Sequence, residues 1–437
     1  MFLSVIFPDK FEPMDASSRR KFLKRVGQGT LGSLTLPVFG NTLQTHWESI
    51  GLKDFKEDSE DFWHLVKSQF NLADGLHYFN NASLGASSTH IQQETHHFRN
   101  ILDGFPSKYM WGGWENEKEE VRKKVADLFS VSSEEIALIH NTTEGMNLIA
   151  RSFDFQPGDE VILANHEHAS GTIPWEVWQE TKGIKLIRPE LPILPESVSD
   201  LVDIYKKAIT PKTKIISMCH IVNTNGMILP VKEVSKMARE KGILVGVDGA
   251  QSAGMFTIDL KELDCDFYTA SSHKWLFSPK GVGIFYAKKE SQEHLKPLMV
   301  ARGHRDKSIR RLENYNTRNL AEVLGLGASV DFHNTIGATR IHERTFELKK
   351  YFRSKIESDD RFTIKSPALD ELSAAIQVVE IKGKEVKTVK EELWNKYGID
   401  CRPMSSHYLN ALRLSFAIYI TKKDIDYLVD ALQDLAG

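Results

Sequence analysis

Lys274, in the run Ser271-Ser272-His273-Lys274, is the residue of this 437-residue chain whose type and setting could do the most chemistry. Small residues precede it at 268–272, and a turn of Pro279, Lys280 and Gly281 follows. An amine held on a tight loop beside hydroxyls and an imidazole is suited to forming a Schiff base, provided burial and neighbours lower its pKa. Most lysines are solvated surface groups, so the residue alone defines nothing. Asp248 ends a short apolar run at residues 243–247. At the carboxyl end of a parallel strand such an acid faces the crevice where α/β sheets bind ligands. The same position also suits a helix cap or a metal ligand.

The pairing is more specific than either member. Asp248-Gly249-Ala250-Gln251 followed by Ser271-Ser272-His273-Lys274 resembles the class V aminotransferase family of fold-type I pyridoxal phosphate enzymes. The resemblance spans residues 75–425 and is nearest to the isopenicillin N epimerase-like branch, related to cysteine desulfurases, through His166-Glu167-His168 and Arg302-Gly303-His304-Arg305. It implies pyridoxal 5'-phosphate as cofactor, joined to Lys274, which also serves as the base at Cα. Asp248 would hold the pyridine nitrogen protonated, which lets the ring act as an electron sink.

The remaining roles are implied in the same way. Gln251 would bond the ring oxygen, and Asn223, after the run at 214–220, would reach the ring hydroxyl side. Thr142, Thr143, Ser271 and His273 would hold phosphate. A helix start at Asn141-Thr142-Thr143-Glu144-Gly145 can seat an anion on its amides, although capping explains those threonines equally well. The family's spacing from Glu-His to Pro-Trp selects His168, ahead of its rival His166, as the ring stacked on the cofactor and able to move protons. Arg413 in Leu412-Arg413-Leu414 would grip an amino-acid carboxylate through two parallel hydrogen bonds. Thr317, in Tyr315-Asn316-Thr317-Arg318-Asn319, lies in a segment that family dimers lend to the neighbour's phosphate site, with Asn316 standing where glycine is usual. A homodimer with a shared active site follows from that resemblance.

Elements able to position these residues are visible in the pattern. Apolar runs at 136–140, 160–164, 214–220, 243–248 and 283–287 alternate with helical patterns across residues 76–288, which argues a mostly parallel sheet with helices on both faces. Upstream, residues 47–70, 89–102 and 115–129 have helical spacing. The aromatic-rich stretch 105–114 reads as an irregular wall of a substrate pocket, or as a packed loop. Helices at 321–335 and 338–358 lead to a smaller C-terminal α+β domain with strands at 374–381 and 411–417 and helices at 384–397 and 422–435. The fold expected is therefore α/β: a fold-type I transferase whose large domain carries a mostly parallel, seven-stranded-type sheet. By family analogy the divisions are 1–44, 45–325 and 326–437.

Composition removes several alternatives. A net charge of -3 gives no electrostatic argument for a nucleic-acid partner. No glycine-rich dinucleotide fingerprint or Walker A motif is present, and the histidine spacing does not assemble a zinc site. Cys219, Cys265 and Cys401 form neither a disulfide framework nor a metal-ligand pattern. At the N-terminus, Ser18-Arg19-Arg20-Lys21-Phe22-Leu23-Lys24 precedes a weakly apolar stretch at 26–39. This resembles a twin-arginine export signal, so a periplasmic or exported protein is expected, with a cytoplasmic one as the alternative. The apolar stretch is too short for a stable membrane span.

The expected reaction acts on an amino acid or an amine derived from one. Sulfur abstraction needs a nucleophilic cysteine on the loop before the C-terminal arginine, and Arg402-Pro403-Met404-Ser405-Ser406-His407 has none. Epimerisation needs a second proton donor opposite Lys274, for which Tyr109, His304 and His407 are available. An aminotransferase or a Cα/Cβ lyase needs none. A binding protein that kept the fold and lost turnover would have no chemical use for Lys274 and Asp248.

Overall fold

The computed structural model describes residues 59–405 and 409–437. The twin-arginine stretch and His407 lie outside the described residues. Helix α1 (Glu60–Ser68) is the described end of the helix expected over 47–70. Ser59 starts it by accepting from the Phe62 amide, and Phe62, Trp63 and Val66 are buried on one face. Next come β1 (His77–Tyr78), α2 (Thr89–Gly104), α3 (Pro106–Met110) and α4 (Glu115–Leu128). The stretch expected to be irregular thus contains a short helix, opened by Pro106 at its first position.

Alternation then sets in: β2 (Ile136–Ile139), α5 (Thr142–Arg151), β3 (Glu160–Leu163), α6 (Ala169–Lys182), β4 (Lys185–Ile187), α7 (Val198–Ala208), β5 (Thr213–Cys219), α8 (Val231–Arg239), β6 (Leu244–Asp248), α9 (Leu260–Leu263), β7 (Phe267–Ser271) and β8 (Gly283–Ala287). These strands form a seven-stranded sheet in the order β2-β8-β7-β6-β5-β3-β4. Helical crossovers make β4, β3, β5, β6 and β7 parallel, whereas β8 returns directly after β7 and runs antiparallel to both its neighbours. Burial on both faces explains the unbroken apolar runs of β2 and β8, and β3 and β7 are buried along their whole length as well.

The chain continues through α10 (Leu320–Ile336), α11 (Ala338–Ile356), β9 (Phe362–Ile364), β10 (Ile376–Ile381), α12 (Val386–Tyr397), β11 (Ile399–Asp400), β12 (Arg402–Met404), β13 (Ala411–Ser415) and α13 (Lys422–Ala436). A four-stranded antiparallel sheet, β12-β13-β10-β9, forms the small domain. Residue 325 falls inside α10, which packs on α2 and α4; the chain turns only at Gly337, where φ is 100°. Strand β1 pairs in parallel with β11, so the start of the large domain is stitched to the C-terminal region. No described helix is long and apolar enough to cross a membrane.

Candidate active site

The carboxyl ends of the parallel strands converge on one cavity, as expected for an open α/β sheet. It is lined by Thr142, Thr143, His168, Cys219, Asn223, Asp248, Gln251, Ser271 and Lys274, among others. Each lies at or just beyond a strand end: Thr142 and Thr143 after β2, His168 after β3, Cys219 and Asn223 at β5, Asp248 and Gln251 at β6, Ser271 and Lys274 at β7. Residues far apart in the chain thus face each other because the strands share one direction.

Lys274 sits on the loop from β7 to β8, its amide held by the Ser271 carbonyl at 3.4 Å. The loop is confined on two sides. Gly85 packs so closely on the Lys274 and His273 carbonyls that a side chain there would collide with backbone. Phe277, fully buried, takes a left-handed backbone at φ 56°, a conformation costly for a bulky residue and held by its surroundings. Burial lowers the Lys274 amine to about 8, with Asp248 opposing and Arg413 and Arg402 adding to the fall. About a tenth of the amine is therefore neutral at pH 7, far more than for an ordinary lysine, and that is the form needed to attack an aldehyde.

Asp248 Oδ1 accepts from the Ala250 amide at 2.9 Å, and no described residue bonds its second oxygen. At the opposite end, Ser271 Oγ accepts from the Thr142 amide at 2.9 Å and lies 2.9 Å from Thr142 Oγ1. Asn141, not either threonine, caps α5 by accepting from the Glu144 amide. The capping role thus falls outside the threonines, and an anion at this helix start would take over the Thr142–Ser271 contact and the hydrogen bond that Thr143 Oγ1 donates to Ser170 Oγ at 2.9 Å. His168 is the N-cap of α6; its Nδ1 accepts from the Ser170 amide at 3.2 Å, which puts the ring proton on Nε2. Burial lowers the His168 pKa, so the imidazole is neutral and can lie flat on an aromatic ring. His166 is buried outside the lining, its Nε2 donating to the Leu191 carbonyl.

Gln251 spends much of its amide on the protein, with Nε2 donating to Ala82 O and Oε1 accepting from Trp275 Nε1. One N–H remains for a ring oxygen. His273, expected at the phosphate, is not part of the lining; burial first, then Lys274 and Lys280, lowers its pKa to about 4. Arg413 stands behind the cavity, donating to Asn223 O at 2.9 Å and Ser83 Oγ at 2.6 Å. Thr317 is exposed and lies away from the lining. Asn316 has φ 57°, the left-handed backbone that glycine adopts freely and asparagine tolerates.

Tyr109 and His304 do not reach the cavity either: Tyr109 packs on Trp114 with the rings tilted by 37°, and His304 Nδ1 meets Ala301 O. Nor does the 105–114 stretch wall it; Met110, Trp111 and Gly112 instead line a separate surface cavity with residues 302–303 and 314–316. One residue without an assigned role in the sequence reading comes into view. Glu167 is half-buried, its Oε1 accepting from the Cys219 amide at 3.0 Å while Oε2, shut off from solvent, has no hydrogen-bond partner among the described residues. A side chain at Gly171 would begin 3.7 Å from that Oε2 and 4.0 Å from Asp248 Oδ2, so the two carboxyls flank one point. Burial, then Asp248, pushes Glu167 up to about 8. Its place beside His168 was the only signal in the sequence.

Acid at one end, anion seat at the other and an amine between them fit an aromatic aldehyde phosphate. Fold and cavity together define a fold-type I pyridoxal phosphate enzyme. The sequence profile described as Aminotransferase class-V matches residues 109–428, and the chain belongs to that family. It is 30% identical over 335 residues to isopenicillin N epimerase of Streptomyces clavuligerus, covering 73% of this chain and 84% of the relative. A probable cysteine desulfurase of Halalkalibacterium halodurans is 31% identical over 338 residues, covering 74% and 82%. Among solved structures, the cysteine desulfurase CsdA of Escherichia coli superposes with a TM-score of 0.73 at 26% identity, over 86% of this chain and 98% of that one. When bound, the cofactor supplies an electron sink for charge developing at Cα.

Proposed function

We propose that the protein acts on an amino acid or a related amine by moving the proton at Cα, as an epimerase resembling the isopenicillin N enzymes, with Lys274 as covalent anchor and base. The state of the cysteines carries this reading against sulfur transfer. All three are buried. Burial pushes the Cys401 thiol up to about 12, and burial followed by Glu167 and Asp248 raises Cys219 well above its ordinary value. No thiolate is available to take up sulfur. In this reading Asp248 holds the ring nitrogen charged, His168 lies on the ring face, and Thr142, Thr143 and Ser271 seat the phosphate. Arg413 orients the substrate carboxylate, which sets the Cα–H bond perpendicular to the ring.

A homodimer in which the segment around Thr317 completes the neighbour's site belongs to the same proposal. So does export by the twin-arginine route; Arg19→Lys with Arg20→Lys would then retain the protein in the cytoplasm. Single turnovers in deuterium oxide against a panel of amino acids test the reaction. Deuterium at Cα without keto acid supports epimerisation. Stoichiometric keto acid makes the protein an aminotransferase, and sulfide from cysteine at a useful rate overturns the reading.

A further inference from the structure

Arg402 and Arg413 are directly opposed partners in the β12–β13 ladder. Opposed residues in antiparallel strands project from the same face, with Cβ atoms about 5 Å apart, and like charges so placed repel. Both guanidinium groups act on the same pair of cavity residues, lowering the pKa of Lys274 and of His168. Neither has a carboxylate partner among the described residues. Arg413, 1% exposed, donates only to neutral acceptors, and its Nε has no partner. Asp400, next along the chain from Cys401, has its Oδ2 engaged by Asn80 at 3.2 Å. Arg402 is exposed and forms no ion pair among the described residues.

A single guanidinium suffices to grip a single carboxylate in two parallel hydrogen bonds. A second cation set against the first, with no acid between them, raises the cost of the apo site and returns it only when a second negative group arrives. We propose that Arg402 reads a second acidic group on the substrate, which makes the substrate class a dicarboxylic amino acid or an amino acid bearing a carboxylate beyond Cα. This rests on the reading of Arg413 as the anchor for the first carboxylate. It adds that the residue opposite is specificity-determining.

Glutamate and norvaline share a five-carbon chain and differ in the distal carboxylate, as do glutarate and valerate. Dissociation constants for all four, both enantiomers of the amino acids included, are measured by calorimetry on the cofactor-loaded protein and by the change in cofactor absorbance. The diacids are expected to bind about tenfold or more tighter than their monoacid counterparts, the factor that one charged hydrogen-bonded contact supplies. Arg402→Gln should erase that preference while leaving norvaline and valerate unchanged, and Arg402→Lys should restore part of it. Equal binding of glutarate and valerate to the wild type overturns the inference, as does an Arg402→Gln variant that weakens all four ligands alike. Glutarate against valerate is scored independently of covalent cofactor, so an unreactive Lys274 would sink the proposed function without deciding this point.

Discussion

Two regions of the molecule differ in how they are built. The floor of the cavity comes from strand ends: Asp248, Gln251 and Ser271 are buried, Lys274 nearly so, and each is fixed by hydrogen bonds or by backbone packed against it. Segments 105–114 and 299–319 are anchored by buried Trp114, Ile309 and Leu312 but carry exposed stretches, where Trp111 is 63% exposed and Val300 78%. The floor is thus a property of one chain's sheet. The exposed segments co-line a different cavity and leave Tyr109 and His304 remote from Lys274. The contrast teaches that the residues suited to the cofactor are held by the sheet, whereas the two described candidates for a second proton donor, Tyr109 and His304, sit on segments that do not line its cavity.

The sharpest way to break this contrast is to attack the floor. Lys274→Ala should cost about 10⁴-fold or more in turnover, the scale seen when a covalent catalyst is removed; a smaller loss in single-turnover assays would move the chemistry off the floor. Asp248→Asn should keep the shape and lower turnover by about 10²–10³-fold, the scale of a lost electrostatic contact to the reacting group. Cofactor uptake by the apo protein should accelerate as pH rises toward about 8, because the neutral Lys274 amine is the attacking form. A pH-independent rate would contradict that assignment.

Glu167 sharpens the contrast through stability. Its carboxyl is raised from 4.5 to about 8 in the folded protein, so it favours folding at low pH. That contribution is lost as pH climbs from about 4.5 through about 8, where ionisation must occur without solvent. Glu167→Gln should flatten that part of the stability profile, the wild type losing on the order of 3–5 kcal/mol across the window relative to the variant. Parallel thermal unfolding curves for both proteins would contradict it. The smallest effect belongs to the surface: Trp111→Ala and Tyr109→Phe should leave cofactor affinity within about twofold, as judged by absorbance titration.

Much of the floor was legible before any coordinates. Asp248 and Gln251 follow an apolar run flanked by helical patterns, which implies a strand end, whereas Ser271 and Lys274 were placed by the family motif, because the Thr- and Ser-containing strand Phe267–Ser271 carries no apolar run. His273 does not line the cavity, and residue order along a turn cannot tell which of two neighbours faces inward. It ended half-buried and outside the cavity lining while Lys274 entered it. Glu167 was passed over for a related reason. Nothing local distinguishes a solvated glutamate from one whose Oε2 is sealed beside Asp248; that distinction comes from the packing of α6 on the strand ends. Arg402 acquired meaning only from register, since the pairing with Arg413 depends on how β12 and β13 align. The N-terminal stretch at 18–24 remains a matter of sequence pattern.

The account depends most directly on which amine carries the cofactor. The purified protein loaded with pyridoxal 5'-phosphate is reduced with borohydride, digested, and the modified peptide sequenced by mass spectrometry. A single adduct on Lys274 is the predicted result. No adduct, or one on another lysine such as Lys280 on the same loop, would contradict the central claim.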